Sequence, residues 1–200
     1  MATTRAGRMT RSDPRKTTAA RAAAIAEQLR HESSILLELY RKKESFTADV
    51  SVAEGHLVSC PPPSSQLDTR DKLWRLHSAL LQCHMLMERA IAKEEEELGG
   101  DKEAEYETQR KMVKDRLSLL LINTGELLKV FDGSAVQTFS KEGLGLDSLT
   151  TVFDLKLWVY KVFREVDYWA KTAITTLQAL PSVIGPSVRT ARVRSTRNTR

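Results

Sequence analysis

His77 and His84 stand seven residues apart, two helical turns, so their imidazoles are the pair that one helix face could offer to a metal. A metal site needs further ligands there, and the Glu-x-x-His pattern that builds a di-metal centre inside a helical bundle is absent. His31, His56, His77 and His84 therefore read as ordinary polar or partly buried histidines. The carboxylate run Glu94 to Glu97 reads as a solvated helix end rather than a cation site. Cys60 lies in a proline-rich loop and Cys83 in a helical stretch, and neither has a neighbouring signal that would activate a thiolate. The chain holds no P-loop, GxGxxG, GxSxG or HExxH motif. Catalysis is not expected, and no cofactor or metal is implied.

Binding chemistry has a better candidate. Phe153 falls beside the apolar stripe of the last helical segment, and Lys156 follows about one turn later on the same off-stripe face. With Val152, Leu155 and Val159 facing inward, Phe153 and Lys156 point out together. An aromatic anchor with a charged neighbour suits a contact hot spot. The sequence equally allows Phe153 to pack beneath the connection that precedes it.

Four long helical patterns position these residues. The first runs from about Thr18 to Glu44, with Ala22, Ile25, Leu29, Leu36 and Tyr40 on one stripe. The second covers about Asp68 to Leu98, where Leu73, Leu76, Leu80, Met87 and Ile91 recur at three- and four-residue steps. The third spans about Asp101 to Phe131, with Tyr106, Val113, Leu117, Leu120, Leu127 and Phe131 aligned. The fourth is the cleanest, from Val152 through Leu155, Val159, Val162, Val166, Trp169, Ala173 and Leu177 to Leu180. Gly99-Gly100, Gly133 and Pro181 supply the stops, and Asp147 or Ser148 is expected to cap the fourth helix.

Connection lengths then bear on topology. The links are about 22, 2 to 4 and about 16 residues long. A 26-residue helix is about 39 Å long, and 16 extended residues reach about 53 Å. Both long links can run back along a whole helix and the short one cannot, which points to an up-up-down-down bundle with two long crossover loops. The expected class is all-α.

Charge divides the chain. Of 200 residues, 31 are basic and 26 acidic, yet the first 24 hold six bases against one acid and the last 20 hold five arginines and no acid. The segment from 25 to 180 is therefore net negative, and all aromatic residues lie between Tyr40 and Trp169. Residues 1–17 read as a disordered basic tail, 18–181 as the helical domain and 182–200 as a disordered Arg-rich tail. The tails lack interleaved aromatics, so nucleic acid is not the expected partner. No apolar run is long enough to span a membrane. No apolar core of a secretory signal follows the basic start, so cytoplasmic synthesis is expected, with Cys60 and Cys83 as free thiols.

Residues 153–177, FDLKLWVYKVFREVDYWAKTAITTL, resemble the last helix of the ciliary neurotrophic factor group of cytokines, a relative of the leukaemia inhibitory factor and cardiotrophin groups. The opening Phe-x-x-Lys, Phe153 and Lys156, matches the contact motif of cytokines that engage the leukaemia inhibitory factor receptor, and Leu157, Trp158 and Trp169 fit as well. SILLELYRKKESF is similar to the end of the group's first helix and CHMLMERAI to part of its second. The resemblance implies a long-chain four-helix cytokine, released unconventionally to act outside the cell. It implies three receptor partners: an alpha subunit, the leukaemia inhibitory factor receptor and a shared signal-transducing chain. Arg30 aligns with a basic position that contacts the alpha subunit, whereas the group's Trp in the first long link is replaced by Ser64-Ser65-Gln66. A cardiotrophin-like relative and an intracellular helical adaptor are the alternatives.

Overall fold

A computed structural model describes residues 14–47, 55–98, 104–131 and 150–180. They form four helices: α1 (Pro14–Lys43), α2 (Thr69–Leu98), α3 (Ala104–Val130) and α4 (Val152–Gln178). The helix α1 begins four residues before the expected Thr18, so residues 14–17 belong to it rather than to the basic tail. Proline suits a first turn, where its missing N–H has no intrahelical acceptor to lose. The remainder of both tails, 1–13 and 181–200, lies outside the described residues.

Side-chain pairs fix the helix directions. Near the end of α1, the Tyr40 hydroxyl donates to the carbonyl of Lys156, at the start of α4. Nearer the middle of α1, Glu27 meets Gln178, at the end of α4. The two helices are antiparallel. The same reasoning makes α1 antiparallel to α3, because Lys43 lies over Tyr106 while Glu32 pairs with Arg116. It makes α2 antiparallel to α3, because His77 meets Thr124 while Glu94 meets Tyr106. Thus α1 and α2 point one way, α3 and α4 the other: up-up-down-down. Both α1 and α2 pack on α3 and on α4, and among the described residues α1 and α2 face each other only across the bundle diagonal. Parts of both long connections, 48–54 and 132–149, fall outside the described residues, and with them the paths of the expected crossovers.

The core follows the stripes closely. Ala22, Ile25, Leu29, Leu36 and Tyr40 of α1 are buried, as are Leu73, Leu76, Leu80 and Met87 of α2. The helix α3 contributes Tyr106, Val113, Leu117, Leu120 and Leu127, and α4 everything from Leu155 to Leu177 on its stripe. Burying each such large side chain contributes about 1.5–3 kcal/mol, which is what holds helices of this length together in water. No helix among the described residues is long and apolar enough to cross a membrane.

Candidate functional site

The start of α4 is set by Thr151. Its hydroxyl accepts from the Asp154 amide at 3.0 Å, and the Asp154 carboxylate accepts from the Thr151 amide at 3.0 Å, a reciprocal capping box. The expected caps, Asp147 and Ser148, lie outside the described residues, and Thr151 takes the role instead. Hydrogen bonds from Thr151 and Thr150 hold the Asp154 carboxyl below its ordinary range. Val152 departs from expectation: it is 53% exposed rather than the first core residue of the stripe. Helical side chains lean toward the N-terminus, so the first residue leans past the bundle, and core contacts begin at Leu155.

Phe153 is 58% exposed. Its inner edge rests on Phe46, with centroids 6.4 Å apart, and Phe46 in turn stands edge-on to Tyr40 and Tyr160. Phe46 reaches this place because of how α1 ends. The Phe46 amide donates to the Arg41 carbonyl at 2.9 Å and the Ser45 amide to the Lys42 carbonyl at 3.2 Å, the two bonds of a Schellman turn. Ser45 holds the left-handed conformation this turn requires, with φ of 53°. The chain therefore doubles back, and Phe46 lies over Tyr40.

Lys156 lies one turn beyond Phe153. Its ammonium pairs with Glu44 at 2.5 Å; the Lys156 side chain is 31% exposed and that of Glu44 only 4%. From Glu44 the charges continue inward. Lys43 lies 3.7 Å from Glu44 and 3.6 Å from Glu94. Glu94 accepts from the Tyr106 hydroxyl at 2.8 Å and from Arg110 at 2.9 Å. Burial, and then the charge of Glu94, pushes the Tyr106 phenol well above its usual range. Glu94 is thus buried and paired, not part of a solvated helix end; Glu95, Glu96 and Glu97 do stand exposed. All four helices send a side chain into this network beneath Phe153.

Arg30 is elsewhere. It is exposed on α1, its carbonyl accepting from the hydroxyls of Ser33 and Ser34. Ten residues separate it from Tyr40, about 15 Å along the helix, so the fold does not bring Arg30 together with Phe153 and Lys156.

The remaining polar candidates have structural partners. His77 is buried against Thr124 at 2.9 Å, and burial lowers its pKa. His84 bonds Ser118 at 2.9 Å, so the two imidazoles engage separate hydroxyls on α3. No group of three or more His, Cys, Asp or Glu among the described residues is placed to hold a metal ion. Cys60 and Cys83 are free, and burial pushes both thiols up. Sequence reasoning passed over Glu165, a buried carboxylate on α4. It accepts from Trp169 at 3.0 Å and from the Leu57 amide at 3.3 Å, and meets His56 at 3.1 Å, tying the first connection to α4. An acid between Val162 and Val166 on a core stripe was the available signal. Glu44 and Phe46 were passed over too, because only the Schellman turn brings them to α4.

The chain matches a family model described as ciliary neurotrophic factor over residues 1–196. The chain belongs to the ciliary neurotrophic factor family. No curated protein matches it significantly. Family membership makes it a neurotrophic cytokine, with partners of the cytokine-receptor type.

Proposed function

We propose that this cytokine acts outside the cell by assembling three receptor chains: the ciliary neurotrophic factor receptor alpha subunit, the leukaemia inhibitory factor receptor and the shared signal-transducing chain. Cytoplasmic synthesis followed by non-classical release is part of the same reading. The observation that carries it is the exposed Phe153 beside Lys156, held on a capped helix end. Packing on Phe46 leaves more than half of Phe153 open, and a partner pocket would cover the rest beside a charged neighbour. Phe153 and Lys156 would engage the leukaemia inhibitory factor receptor, and Arg30, on another part of α1, the alpha subunit.

Purified protein added to cells with and without the alpha subunit, read by tyrosine phosphorylation, tests the assembly. Signal is expected only where the alpha subunit is present, and F153A is expected to abolish it while staying folded, its melting lowered only by loss of the Phe46 contact. A folded F153A protein signalling at full potency would remove the receptor-contact role of Phe153.

A further inference from the structure

We infer that the C-terminal turn of α1 is the positioning half of the α4 contact site, with Glu44 setting the Lys156 ammonium for its partner. The inference rests on the receptor-contact reading of Phe153 and Lys156. A surface lysine ordinarily samples many rotamers, and a partner that needs one of them must select it. Lys156 does not have that freedom. Its ammonium is drawn to Glu44, whose side chain is 4% exposed. Glu44 occupies the C-cap position of α1, where the Schellman bonds of Ser45 and Phe46 fix the backbone. On its other side Glu44 meets Lys43, which is anchored by Glu94, and Glu94 is held by Tyr106 and Arg110. Each link limits the next, and the chain of contacts ends at the half-buried Lys156.

The pairing also defines the partner's chemistry. An ammonium carries three N–H donors, and Glu44 neutralises its charge while leaving donors for another group. The group best suited to meet Lys156 is therefore a neutral acceptor, a backbone carbonyl or hydroxyl, at the edge of an apolar cleft that takes Phe153. A dense acidic patch would instead have to compete with a carboxylate already in place. Binding at this site should accordingly depend little on salt.

The test measures binding of the full-length protein to the soluble leukaemia inhibitory factor receptor ectodomain at low and moderate salt. Five proteins are compared: wild type, E44Q, K156A, the double variant of those two, and F153A. If Glu44 acts through Lys156, E44Q weakens binding about tenfold and steepens the salt dependence, because the lysine is now mobile and unneutralised. On the K156A background E44Q then changes nothing. Unchanged or tighter binding by E44Q overturns the inference, as does an equal loss in both backgrounds. Should E44Q melt too low to assay, E44Q combined with K43M removes the buried charge that Glu44 balanced, while Glu94 keeps Tyr106 and Arg110, and supports the same cycle. If K156A and F153A both bind like the wild type, the contact reading itself fails; if they fail to bind while E44Q binds normally, only the positioning role of Glu44 is lost.

Discussion

The Phe46 ring meets the Phe153 ring edge-on, with centroids 6.4 Å apart and planes at 83°. One residue leaves α1 and the other enters α4, so this contact joins two chain segments that only the antiparallel packing of the two helices brings together. An edge-to-face pair adds about 0.5–1.5 kcal/mol beyond the area it buries. F46A should lose that stability, and it should also weaken receptor binding by roughly two- to twelvefold, because a Phe153 ring freed in the unbound protein costs about 0.5–1.5 kcal/mol to immobilise on binding. The effect should vanish on an F153A background, which a double-mutant cycle in a binding assay reads directly. Equal losses in both backgrounds would make Phe46 an independent contact.

Ser45 carries the conformational cost of the turn that delivers Phe46. A left-handed residue other than glycine costs about 1–2 kcal/mol, and glycine's extra freedom in the unfolded chain takes back about 0.5–1. S45G is thus expected to stabilise the protein by about 0.5–1 kcal/mol, a rise of a few degrees in Tm for a chain of this size. S45V, β-branched in the same conformation, should lower Tm and loosen Phe46. A fall in Tm for S45G would mean that the serine makes a contact worth more than the strain.

Thr151 supports α4 in a way that acid should reveal. T151A is expected to cost about 1 kcal/mol at neutral pH. Asp154 has a depressed folded pKa, so its contribution is fully present above its ordinary value of 3.8 and is lost as pH falls through the lower folded value. The gap between wild type and T151A should therefore be constant from neutral pH down to about that value and shrink below it. Urea melts at stepped pH check this; a gap that grows in acid would contradict the capping box.

What was legible in the sequence was whatever depends on periodicity. Leu155, Val159, Val162, Val166, Trp169, Ala173 and Leu177 are buried because a three-four alternation leaves a helix no other way to hide them. Topology followed from connection lengths because a long link permits the next helix to run parallel and a short one does not. Periodicity misplaced Val152 because it carries no information about where a helix begins to be covered. Ser45 gave no glycine signal for a left-handed turn, so Phe46 and Glu44 could not be assigned to the contact site. The pairing of Glu44 with Lys156 depends on three-dimensional packing that no local pattern encodes.

Glu165 should matter more to stability than its charge suggests. E165A leaves the buried indole N–H of Trp169 without its acceptor, a loss of about 1–3 kcal/mol, and also frees the Leu57 amide. H56A should cost much less, since His56 is half exposed and water can take its place. Denaturant unfolding of the two variants gives the comparison. Equal costs would place the importance of the contact in the imidazole rather than the indole.

Arg30 and Phe153 offer the sharpest separation of function from fold. Arg30 is exposed, so R30A should stay within about 0.5 kcal/mol of wild-type stability. About 15 Å of helix lies between Arg30 and the level of Tyr40, which is where α1 meets the start of α4. Sites that far apart with no shared partner act additively. R30A should therefore weaken binding to the alpha subunit while leaving the Phe153-dependent contact with the leukaemia inhibitory factor receptor at full strength, and F153A should do the reverse. On each isolated receptor ectodomain, where avidity does not mix the two contacts, the double variant should lose no more than the matching single variant. Loss of both contacts in R30A would mean that α1 transmits a change along its length to the Glu44–Lys156 pair. Unchanged alpha-subunit binding in R30A would move that contact off this part of α1 altogether.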